Sequence, residues 1–125
     1  MMAYERQNWD VTHVTEVTDG AQARFRRPEW VAHVIDETAE PPRAVLLHLP
    51  SGKRTGLSET ATRIWQEIVA SGTGGVQVGA IAAIVAPEYG ADPTIITRDV
   101  VALLDDMVAG EWVEIVPEHE GGWHG

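Results

Sequence analysis

The chain has 125 residues, 44% of them hydrophobic, and no cysteine, which excludes disulfides, thiol nucleophiles, iron–sulfur clusters and cysteine-based zinc sites. The formal net charge of −10 is unevenly placed: residues 1–63 hold eight basic against nine acidic side chains, and residues 64–125 hold Arg98 alone against ten acids. Phosphate backbones repel such a surface, so no nucleic-acid partner is expected and a neutral or basic peptide is tolerated better. No apolar run reaches the roughly 20 residues that span a bilayer, and the N-terminus is not a signal peptide, so one cytoplasmic domain without a membrane partner is expected.

Residues 1–28 read as an N-terminal extension. Trp9, Val11, His13, Thr15 and Val17 alternate with Asp10, Thr12, Val14, Glu16 and Thr18 in a β-type pattern without a strong apolar face. Asp19-Gly20 is a candidate hairpin turn, and Arg24, Arg26 and Arg27 form the one basic cluster. The domain proper is expected over residues 29–116, with residues 117–125 as a glycine-rich tail.

Trp30 to Ile35 predicts a first strand, and Pro41-Pro42 lies in a loop that no helix crosses. Ala44 to Leu49 is nearly continuous apolar and reads as a central strand buried on both faces. After Pro50-Ser51-Gly52, Lys53 to Leu57 predicts a third strand, and the short connections make the sheet antiparallel. Ser58 is then an N-cap, followed by Ala61, Ile64, Trp65, Ile68 and Val69 at the spacing of one buried helix face. Past Ser71 to Gly75, a second helix places Val78, Ile81, Ala82, Val85 and Tyr89 on one face and ends at Gly90. Asp92-Pro93 opens a third helix that runs to Ala109, and Trp112 to Val116 reads as a closing strand.

The third helix carries more apolar surface than one packing face needs. Ile96, Val100, Leu103 and Met107 form one stripe; Thr97, Val101, Leu104 and Val108 form a second, about 100° round. One stripe packs on the other helices. The second packs on the sheet or lines a groove beside the third strand, whose Lys53, Arg54 and Thr55 are the polar residues of an exposed edge. Gly56 lets another backbone approach, and an extended guest peptide could add there as a further strand.

The run Leu57-Ser58-Glu59-Thr60-Ala61 with Ile64-Trp65, then Tyr89-Gly90-Ala91-Asp92-Pro93, Asp99-Val100, Leu103, Met107 and Gly110, resembles the PqqD-like family over residues 29–113. That family includes the pyrroloquinoline-quinone peptide chaperone and leader-recognition proteins of lasso-peptide pathways. Ser58 stands where the family usually has Asn, a change that keeps the cap. The resemblance implies an α+β, winged-helix-like fold: a three-stranded antiparallel sheet followed by a three-helix bundle. It implies a non-catalytic protein that binds the leader of a ribosomally made precursor peptide and needs no cofactor. Lys53, Arg54, Thr55, Gly56 and Leu57 would supply backbone contacts, and Thr97, Val101, Leu104, Asp105 and Val108 would face the leader's side chains. The receiving enzymes would be a leader peptidase and cyclase, or a radical maturase.

The alternative of the same element order is a winged-helix DNA-binding regulator, whose recognition helix would carry Asp99, Asp105 and Asp106 against Arg98. Residues 1–28 could also supply a strand to the chain's own groove or to a homodimer. Other signals have plainer explanations. His33 and His48 on neighbouring strands lack a third metal ligand. Gly72-Thr73-Gly74-Gly75 lacks the lysine of a phosphate loop, Trp65 sits at a core position, and capping accounts for Ser58.

Overall fold

Two tight reversals, at 37–42 and 49–52, fold the first half of the chain into a sheet; three helices then close over one of its faces. In the computed structural model, which describes residues 23–117, the elements are β1 (Arg24–Arg26), β2 (Val31–Asp36), β3 (Arg43–His48) and β4 (Lys53–Gly56), then α1 (Glu59–Ala70) and a short 3-10 turn (Gly72–Gly74). They are followed by β5 (Val76–Gln77), α2 (Val78–Tyr89), α3 (Pro93–Ala109) and β6 (Glu114–Ile115). The readings for residues 1–22 and 118–125 lie outside the described residues.

β2, β3 and β4 form the expected antiparallel sheet, with Val31 opposite His48 and Val45 opposite both Val34 and Gly56. Alternation puts Ala44 and Leu46 on the inner face, where both are fully buried. Val45 and Leu47, on the outer face, are only half-buried. The expectation of a strand covered on both faces is therefore corrected: all the helices lie on one side, and Val34 on the other remains 63% exposed.

A second, smaller sheet was not expected. β1 lies between β5 and β6, antiparallel to each, with Phe25 opposite Val76 and Ile115. Phe25 and Pro28 are buried, so the packed fold begins before residue 29. Arg26 ties this sheet down through its ion pair with Glu114 at 2.8 Å and a hydrogen bond to the Thr73 carbonyl. Gly75 cannot be replaced here: its φ is +79°, and an added Cβ would sit 2.8 Å from Val116.

The helix ends follow their caps. The Ala61 amide donates to Ser58 Oγ at 3.1 Å, and the Thr94 amide donates to Asp92 Oδ1 at 2.8 Å. Gly90, at φ +60°, closes α2 in the left-handed conformation. α2 and α3 pack as an antiparallel pair, whereas α1 lies against β3 and α2. This is looser than an even three-helix bundle. α1 buries Ala61, Ile64, Trp65 and Ile68 as its spacing requires. α2 buries Ala86 in place of Tyr89, which is exposed. No helix among the described residues is long and apolar enough to cross a membrane.

Two contacts fasten α1 to the sheet. The buried Thr62 hydroxyl accepts a hydrogen bond from the Ala44 amide at 3.0 Å, completing a β3 backbone group that no strand reaches. Trp65 is 1% exposed, and its indole N–H donates to His33 Nδ1 at 2.5 Å. That bond requires His33 to be neutral with its proton on Nε2. Burial, reinforced by the nearby Arg27 charge, lowers the His33 pKa, in the direction the bond needs.

Candidate functional site

β4 has a partner on one side. Its register with β3, and the Leu57 amide donating to the Ala44 carbonyl at 2.9 Å, fix which backbone groups are used. In an antiparallel pair these alternate, so Lys53, Thr55 and Leu57 turn their N–H and C=O toward β3. Arg54 and Gly56 turn theirs the other way, toward an edge that no strand of the described residues covers. Both residues are exposed. An added Cβ at Gly56 would meet nothing within 4 Å, so the outer face of the sheet is open at this position.

The expected backbone set, Lys53 to Leu57, thus divides. Arg54 and Gly56 can offer main-chain hydrogen bonds to a guest. Leu57 spends its amide on β3 and buries its side chain. Lys53 and Thr55 project their side chains from the inner face, the side on which α3 lies; Arg54 projects from the outer face.

β4 and the end of α3 share one open cleft of about 260 Å³, lined by His48, Ser51, Lys53, Ala109, Gly110 and Glu111. The cleft is built by an unusual helix ending. Gly110 stays near helical φ, and Glu111 takes the left-handed step at φ 66°. A Cβ on Gly110 would collide with the Trp112 indole at 2.8 Å, which explains why the glycine stands one position early. Glu111 is held on both sides: the Trp30 indole donates to its carbonyl at 2.9 Å, and its carboxylate meets His48 Nε2 at 3.0 Å. The other His48 nitrogen meets Ser51 Oγ at 2.7 Å. Sequence reasoning missed this latch because its parts are 63 residues apart. It ties the β3–β4 turn to the α3 terminus across the cleft.

Along α3 the buried stripe is Ile96, Val100, Leu104 and Met107. Leu104, at 1% exposure, is core and not the leader-facing position that the resemblance implies, and Leu103 is only half-buried. The helix is rotated so that Leu104 points into the core. Val101 is 41% exposed, Val108 packs half-buried beside the core, and Asp105 is exposed. Thr97 is half-buried, and its hydroxyl bonds back to the Pro93 carbonyl at 2.8 Å. Thr97, Val101, Asp105 and Val108 fall within about 80° of arc on one side of α3. The surface offered there is a shallow apolar strip with polar flanks, narrower than a second full stripe.

The two histidines weighed as metal ligands are engaged elsewhere, His33 with Trp65 and His48 with Ser51 and Glu111. Among the described residues, no group of three His, Cys, Asp or Glu side chains is placed to hold a metal ion.

An open edge strand on an α+β fold is a surface to which an extended chain can add as a further strand. The family model of coenzyme PQQ synthesis protein D (PqqD) matches residues 43–113, and the chain belongs to that family. Two solved structures superpose with TM-scores of 0.60. One is TbiB1 in complex with the TbiA(beta) leader peptide, at 27% identity, covering 71% of this chain and 94% of that one. The other is lasso peptide synthetase B1 complexed with the leader peptide, at 23% identity, covering 76% of this chain and 100% of that one; it speaks to the fold. A comparison with curated protein sequences returned no match. The DNA-binding alternative finds no support: Asp99, Asp105 and Asp106 are all exposed on α3.

Proposed function

We propose that this protein binds the leader segment of a ribosomally synthesised precursor peptide by strand addition to β4, and presents it to separate maturation enzymes. The observation that carries the reading is the pair of outward backbone positions, Arg54 and Gly56, on a strand edge that no other strand of the described residues covers. The resemblance to leader-peptide complexes supports it. The guest backbone would bond to Arg54 and Gly56, and its inward side chains would lie against Val101, Val108 and the flanks at Thr97 and Asp105. Leu104 is the floor. The protein itself performs no chemistry in this reading. A leader peptidase and cyclase are the favoured recipients, since one matched structure is a lasso peptide synthetase component.

The test is titration with synthetic leader peptides of ribosomally made precursors from the source genome. Strand addition with one or two apolar anchors gives a dissociation constant of about 10 nM to 1 μM. Val101→Asp should weaken it by tenfold or more with unchanged melting. An unweakened variant would remove α3 from the site.

A further inference from the structure

We propose that the outer face of the β2–β3–β4 sheet selects the leader by two of its side chains: a large apolar or aromatic residue opposite Gly56, and an acidic residue two positions later, opposite Arg54. The inference rests on the leader-binding reading of the same edge and adds the sequence pattern that a leader carries there.

Residues paired across strands share a face of the sheet. Val34, Val45 and Gly56 therefore form one row across the outer face, and Ala32, Leu47 and Arg54 form the next. The first row reaches the open edge as a glycine, and a Cβ added there would meet nothing within 4 Å. Behind it Val45 is half-buried, and Val34 is exposed. A strand added beside β4 lengthens this row by one side chain. A large one leans across Gly56 onto Val45 and removes apolar surface of both partners from water, as aromatic side chains do across from edge glycines.

The second row ends in Arg54, which is exposed and makes no side-chain hydrogen bond or ion pair among the described residues. A carboxylate opposite it on the added strand lies on the same face and pairs with the guanidinium. The guest residue between these two points to the inner side, where the helices lie. Residues 64–117 hold eight acids against Arg98, so an acid is favoured beside Arg54 and disfavoured one position earlier.

The order of the pair follows from strand direction. Arg54 and Gly56 both turn their backbone groups outward, so an antiparallel guest places one residue in a hydrogen-bonded pair with each. That guest runs against β4, and the residue opposite Gly56 comes first. The reverse order would set the acid over the Gly56 gap and the apolar side chain on Arg54.

Titration of the native chain, Arg54→Glu and Gly56→Thr with a synthetic leader peptide and its variants tests this, with circular dichroism and melting to show that all three chains fold alike. Arg54→Glu turns attraction into repulsion and should weaken the leader about fivefold or more. A leader with lysine in place of the acid should bind the native chain more weakly by a similar factor and recover on Arg54→Glu. Gly56→Thr, whose side chain suits a strand but fills the gap, should weaken the leader about fivefold, and should change little for a leader with alanine in place of the apolar residue. A leader that binds the native chain but is indifferent to both protein substitutions overturns the proposal and leaves strand addition standing. So does a loss on Arg54→Glu that the lysine-bearing leader fails to recover. Should no leader bind the native chain, the leader-binding reading itself fails and the pattern falls with it.

Discussion

Thr62 and His33 show how single polar groups hold the platform in place. Thr62→Val keeps the shape of the side chain but leaves the Ala44 amide buried without a partner. That should cost about 1–3 kcal/mol in chemical denaturation. A smaller loss would mean that water reaches the amide. His33 gives the fold a pH dependence whose sign follows from its lowered pKa. The folded state favours the neutral ring, so the stabilisation is complete above the unfolded value of about 6.5 and is lost as pH falls through the lower folded value. Denaturation at pH 7.5 and pH 5 should show that loss in the native sequence and a flatter profile in His33→Gln. Parallel profiles would detach His33 from the effect.

At the scale of elements, α3 shows both what the sequence reveals and what it hides. Its start, its end and its apolar excess are written in Asp92-Pro93, in Gly110 and in the spacing of its hydrophobic residues. Its rotation is not, because Leu103 and Leu104 are chemically identical and only their neighbours decide which is buried. The consequence is testable. Leu104→Asp buries a charge in the core and should leave no cooperative unfolding transition at 25 °C, whereas Val101→Asp should melt like the native chain. Equal melting of the two would contradict the assigned rotation. The β2–β3–β4 sheet was legible because its two longer strands are apolar-rich stretches of six residues and the turns that bound them contain Pro and Gly. The second sheet was not: β5 and β6 have two residues each, too few for any periodicity. β1 was visible only as an arginine cluster around a single phenylalanine.

For the whole molecule, the arrangement separates stability from recognition. Core side chains from α1, α2, α3 and the inner sheet face make one cluster, and the β4 edge stands outside it. Arg63 on α1 pairs with Glu67 at 2.7 Å and with both Glu88 oxygens at 2.8 Å, joining α1 to α2 on the acidic side of the molecule. The latch of Trp30, His48, Ser51 and Glu111 performs the same service at the cleft. In the proposed reading, a backbone guest on that edge would leave the core undisturbed. The family resemblance pointed to β4 and α3 as the proposed site from sequence alone. The choice of Arg54 and Gly56 over their neighbours needed the register, which no spacing rule contains.

The most direct measurement is leader titration of Gly56→Pro against Gly56→Ala. An added Cβ at Gly56 meets nothing within 4 Å, and the Gly56 amide points away from β3, as an edge-strand proline requires, so both chains should keep the sheet and the native circular dichroism. Only proline removes the outward N–H. We expect Gly56→Ala to bind the leader within about threefold of the native protein, and Gly56→Pro to lose at least about tenfold, the worth of one or two main-chain hydrogen bonds. Equal affinities in two folded variants would show that the guest backbone does not pair with this edge.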